Sequence, residues 1–77
     1  MKMFCISDNI DTALGLKLTG VESVVLQNED EIKNQIKNIL ENNEIGILIY
    51  TENIYQKAKY EFDEIREQYK MPLLVNI

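Results

Sequence analysis

The sequence predicts a small α/β domain, a flavodoxin-like or Rossmann-like three-layer sandwich. Its four-stranded parallel sheet has the order 2-1-3-4 and carries three helices. Three observations predict it. Short apolar runs alternate with helix-period segments along the whole chain. The connections are too short for anything but strand-to-helix turns. No repeat, linker or low-complexity stretch divides the 77 residues, so residues 1–77 form a single domain.

Met3 to Ile6 is a continuous apolar run, as suits a strand covered on both faces. Ser7, Asp8 and Asn9 supply helix-starting oxygens. A first helix then runs from about Ile10 to Leu18 and ends at Gly20, the usual place for a glycine. Ile10, Leu14 and Leu18 fall at i, i+4, i+8 and are expected to pack, with Ala13 beside them and Leu16 pointing away. Gly15 sits mid-helix at a cost of roughly 1 kcal/mol against alanine, which predicts close approach of another backbone.

Val21 to Leu26 reads as the second strand. Asn28 and Glu31 have capping-box spacing at the start of the second helix. Ile32, Ile36, Ile39 and Leu40 form its apolar stripe, opposite Lys, Asn and Glu, and Asn42-Asn43 closes it. Ile45 to Tyr50 is the most strand-like segment and is expected at the sheet centre. Thr51 is the expected cap of a third helix reaching about Tyr69, with Ile54, Ala58, Phe62, Ile65 and Tyr69 as its stripe and Tyr60 projecting from the other side. Met71-Pro72 breaks that helix. Leu73 to Ile77 is the fourth strand. The first helix is expected on one sheet face, the second and third on the other.

Charge and composition narrow the function. The net charge is −5, and the lysines are interleaved with acids, so no basic footprint for nucleic acid exists. There is no histidine, and the single cysteine, Cys5, allows neither an internal disulfide nor a thiol zinc site. No metal and no cofactor are expected. No apolar run approaches a membrane span and no signal-peptide pattern precedes the first strand, which predicts a cytoplasmic protein without membrane insertion.

In such sheets ligands bind beyond the strand C-terminal ends, where the strand order reverses. Here that corner is built from Ser7 to Asp11 and Thr51 to Asn53, and it holds Asp8, Asp11 and Glu52 with no glycine. Nucleotide-binding loops need glycines for close approach, and carboxylates repel phosphate. Asp8 and Asp11 are therefore read as helix-capping and dipole-complementing residues. A receiver-like domain would need an acceptor aspartate where Tyr50-Thr51 stands. A phosphotransferase IIB-like domain would need its cysteine in a phosphate-cradling loop, whereas Cys5 lies inside the first strand. These signalling and phosphotransfer readings form the alternative. No catalytic residue is expected. Leu16 and Tyr60, both off-stripe, are the candidate partner-interface residues.

Four ordered segments carry a family resemblance. They are a D-x-x-x-x-x-G-x-x-L-x-G-V pattern from Asp8 through Gly15, Leu18 and Gly20 to Val21; the acidic start Asn28-Glu29-Asp30-Glu31; the Thr51-Glu52 pair after the third strand; and an acid-rich helix ending before Met71-Pro72-Leu73-Leu74-Val75-Asn76-Ile77. The chain thus resembles the F subunit of the V-type and archaeal-type rotary ATPases. The resemblance implies a non-catalytic component of the rotating central stalk that binds the coiled-coil D subunit. Through that coiled coil it meets the A/B catalytic head and supports coupling of ATP hydrolysis or synthesis to ion transport. It would then be a peripheral part of a membrane-bound complex. Family members continue past the fourth strand into another helix, and its absence here predicts apolar surface near that strand.

Overall fold

The computed structural model describes residues 1–77. Its elements in chain order are β1 (Lys2–Ser7), α1 (Ile10–Leu18), β2 (Glu22–Val25), α2 (Glu29–Glu41), β3 (Ile45–Tyr50), α3 (Glu52–Lys57), α4 (Lys59–Gln68) and β4 (Leu73–Asn76). The sheet order is β2-β1-β3-β4, as the sequence predicts, and every pairing is parallel. The expected third helix is two helices, so the count is four rather than three.

The helix termini follow the local chemistry. Asn9 caps α1 by accepting from the Thr12 N–H at 3.0 Å. Gly20 adopts φ 92°, where a side chain is strained, and closes the helix with its N–H on the Lys17 carbonyl. Asn28 caps α2 by accepting from the Glu31 N–H at 3.1 Å, the first half of the predicted capping box. Thr51 stands at the N-cap position of α3 but gives the helix no side-chain bond.

One core dominates. Phe4 and Ile6 of β1 and Leu48 and Tyr50 of β3 meet Ile32, Ile36 and Ile39 of α2, together with Ile54 of α3, Ala58 at the α3–α4 junction, and Phe62 and Ile65 of α4. These three helices therefore share one sheet face. Alternation along the strands sends Cys5 and Ile49 to the opposite face, where α1 packs over β1 and β2. Lys33 reaches both Glu29 at 3.0 Å and Glu61 at 4.0 Å, linking α2 to α4 at the surface.

Three sequence expectations are corrected. The break at Ala58 (φ −140°, ψ 35°) separates α3 from α4 without glycine or proline. Its N–H bonds the Tyr55 carbonyl, and the turn keeps Ile54, Ala58, Phe62 and Ile65 all buried, while Tyr69 falls outside and is exposed. Second, α1 is rotated relative to its expected packing. Ala13 is buried and Leu16 half-buried, whereas Ile10, Leu14 and Leu18 face solvent. Apolar and polar residues are spread around this helix, with Asp11, Thr12 and Lys17 on different sides, so its spacing alone does not choose a face. Gly15 has nothing within 4 Å of where a Cβ would stand, so no backbone of this chain approaches it closely.

Candidate functional site

The switch-point corner forms where β1, β2 and β3 end. Ser7 is fully buried; its Oγ accepts from the Asn9 N–H and donates to the Asn9 carbonyl, both at 2.9 Å, which shapes the turn into α1. Asp8 next to it does not cap the helix, contrary to the sequence reading. Its Oδ1 accepts from the Thr51 hydroxyl at 2.6 Å and its Oδ2 from the Asn53 amide at 2.8 Å. This also explains why Thr51 leaves the α3 cap empty: its hydroxyl proton points to Asp8.

The remaining loop joins the same cluster. The Gln27 amide donates to the Asp8 carbonyl at 2.8 Å, and the Lys57 ammonium donates to the Gln27 carbonyl at 2.7 Å. Glu52 accepts from Gln56 at 2.6 Å and from Asn76 at 2.9 Å, so the end of β4 is tied in as well. The Thr51 and Asn53 hydrogen bonds hold the Asp8 carboxyl below its usual ionisation range, and Gln56 and Asn76 do the same for Glu52.

This arrangement has a clear chemical consequence. The crevice that holds a nucleotide in other doubly wound sheets is filled by side chains that bond one another. The side-chain donors of the corner, those of Gln27, Thr51, Asn53 and Lys57, already face carboxylate or carbonyl oxygens. Lys57, the cation of the corner, is occupied by a backbone oxygen. No buried side-chain N or O lacks a partner, and nowhere do three or more His, Cys, Asp or Glu side chains converge. Asp11, exposed in the first turn of α1, takes no part in the cluster.

Cys5 is fully buried in β1. Burial pushes its thiol up, only partly offset by the Ser23 hydrogen bond, which is opposite to what a nucleophilic thiolate needs. The tyrosines divide by place. Tyr50 is buried and its ring stacks on Phe62 at 4.2 Å. Arg66 donates to the Tyr50 hydroxyl at 3.3 Å and to Asp63 at 3.1 Å, and the Tyr55 hydroxyl donates to Asp63 at 2.9 Å. Sequence reasoning missed this network; the Asp63–Arg66 spacing at i, i+3 was its one visible trace.

The two predicted interface residues part company. Tyr60 is 75 % exposed on the outer face of α4, in a shallow groove with Asp63, Glu64, Glu67 and Gln68. Leu16 turns toward the sheet and is half-buried. The structure does not bring them together as one surface patch.

Comparison with known proteins agrees with this architecture. Residues 3–77 match the family described as ATP synthase (F/14-kDa) subunit. The chain is 36% identical over 62 residues to the A-type ATP synthase F subunit of Thermococcus onnurineus, a match covering 74% of this chain and 60% of that protein. It is 27% identical over 82 residues to the A-type ATP synthase F subunit of Thermococcus kodakarensis, covering 100% of this chain and 74% of that protein. Its fold superposes on the crystal structure of the V-type ATP synthase F subunit from Archaeoglobus fulgidus with TM-score 0.79 and 19% identity, over 99% of this chain and 95% of that one. No helix is long and apolar enough to cross a membrane. The chain belongs to the ATP synthase F/14-kDa subunit family, with the fold of a V-type member and a switch point closed by its own side chains.

Proposed function

We propose that this chain is the non-catalytic central-stalk F subunit of a V-type or A-type rotary ATPase. It docks on the coiled-coil D subunit and supports the coupling of ATP hydrolysis or synthesis on the A/B head to ion transport. It works in the cytoplasm, peripheral to the membrane-bound part of the complex. The observation that carries the reading is the family match over residues 3–77 together with a ligand corner occupied by Thr51, Asn53 and Gln27. A domain whose usual pocket is self-bonded offers its partners a surface, not a reaction centre.

Tyr60 is the proposed anchor on that coiled coil. An exposed aromatic at the centre of an acidic helix face fits a groove between two helices bearing basic side chains. Leu16 is half-buried, so its part is to seat α1 on the sheet and to present only its edge. The test is co-purification of this chain with the D subunit of the same complex. A 1:1 complex without ATPase activity of the chain alone supports the proposal, and Tyr60→Ala weakens it by about tenfold or more. No complex with the coiled coil, or ATP turnover by the chain alone, overturns it.

A further inference from the structure

Of the three helices on the principal core face, α3 has the thinnest apolar anchor. It is six residues long and buries one side chain, Ile54. By contrast α2 buries Ile32, Ile36 and Ile39, and α4 buries Phe62 and Ile65. A helix of that length does not persist on its own backbone bonds. Thr51 gives it no side-chain cap, and the break at Ala58 separates it from α4.

Polar side chains supply most of its attachment. At its N-terminal end Asp8 accepts from Thr51 and Asn53, and Glu52 accepts from Asn76. At its C-terminal end Lys57 donates to the Gln27 carbonyl. The Tyr55 hydroxyl ties it to Asp63 of α4. The Thr51 and Tyr55 bonds are partly buried, and those of Asn53, Lys57 and Asn76 are exposed. Water replaces an exposed hydrogen bond at little net loss, whereas nothing in water replaces the buried anchors of α2 and α4.

We propose that α3 is a strap over the switch point. It opens as a unit, hinged at Ala58 and held shut by the Asp8 clamp, while α2, α4 and the sheet stay folded. Segments that open in this way come from the weakly anchored parts of a fold. A hinge sits at an element end that absorbs the change in φ and ψ, and Ala58 is such an end, with φ −140° and ψ 35° already outside the helical range. Beyond it α4 is bonded independently, starting with the Phe62 N–H on the Ala58 carbonyl at 3.0 Å. Opening frees the Asp8 carboxylate, the Lys57 ammonium and the Gln27 carbonyl together at the ends of β1 and β2. The opposing term is Ile54, whose burial keeps the closed form the ground state. Tyr60 takes no part, so this inference does not depend on the reading of α4 as a docking face.

Native-state hydrogen exchange of the full chain, read by NMR through a series of subdenaturing guanidinium concentrations, tests the strap. The Tyr55, Gln56 and Lys57 amides should exchange as one group. Their rates should exceed those of the Ile36 and Ile65 amides by about tenfold or more and depend little on denaturant, because opening exposes little surface. Two variants separate this opening from unfolding of the whole domain. Asp8→Ala weakens the closed form against both the open and the unfolded forms, so it speeds both groups of amides by a similar factor, about tenfold. Ile39→Val lies at the far end of α2, beside Phe4 and Ile45, and weakens the closed and open forms alike. It should speed the Ile36 and Ile65 amides and leave the α3 group unchanged. If Ile39→Val speeds the α3 amides as much as the others, α3 opens only when the whole domain unfolds and the proposal is overturned. An α3 group indifferent to Asp8→Ala also overturns it, since the clamp then holds nothing shut.

Discussion

The Thr51 hydroxyl donates to the Asp8 carboxylate across 2.6 Å, joining the ends of β1 and β3 at the sheet's switch point. The bond spans 43 residues of sequence, so it closes a long loop, and Asn53 completes the clamp. Asp8→Ala is expected to cost about 1–2 kcal/mol at neutral pH, measured as a shift in the urea midpoint. The pH dependence has a definite sign. The folded state holds the Asp8 carboxyl below its ordinary value of 3.8, so the stabilisation is complete above that value and is lost as acid protonates the group. The gap between wild type and Asp8→Ala should therefore narrow as pH falls below about 4.

The two glycines of the α1 region should respond in opposite directions. Gly15 is exposed with free space at its Cβ position, so Gly15→Ala should raise stability by about 0.5–1 kcal/mol at low micromolar concentration. Gly20 has φ 92°, and Gly20→Ala should lower stability by about 1–2 kcal/mol. Thermal unfolding of both variants measures the contrast. Equal effects would mean that α1 does not end as described.

Phe62 is 0 % exposed and stacks on Tyr50. Truncation to alanine should cost about 3–5 kcal/mol. A chain of this length has only roughly 4–11 kcal/mol in total, so Phe62→Ala should be largely unfolded at 37 °C. Ile36→Val, removing one methylene from the same core, should cost about 0.5–1.5 kcal/mol and leave a cooperative transition.

Cys5 tests the non-nucleophilic reading. With its thiol buried and its ionisation pushed up, native protein should react with a thiol reagent only as fast as it unfolds. Labelling in guanidinium should be immediate by comparison. Rapid labelling of the folded chain would reopen a phosphotransfer role.

Much of this was readable in advance, for identifiable reasons. Asn9 and Asn28 have side chains that start helices and Gly20 a φ angle that ends one, and all three act where expected. The apolar stripe of α2 had a polar opposite face, so its orientation was unambiguous. In α1 both faces carry apolar residues, and small Ala13 rather than Leu14 meets the sheet. The Ala58 break depends on fitting four buried residues against β1 and β3, a requirement that no local signal encodes. At the corner, composition correctly gave acids and no glycines. What it did not give was their use: Asp8 bonds residues 43 and 45 positions away instead of the adjacent helix.

The chain contains no tryptophan, so its near-ultraviolet optics come from four tyrosines and two phenylalanines. Among the tyrosines Tyr50 alone is buried, held between Phe62 and the Arg66 guanidinium. Its fixed, chiral surroundings make it a built-in spectroscopic gauge. A near-ultraviolet dichroic band that vanishes before the helical signal would report that the layers had come apart while the helices persisted.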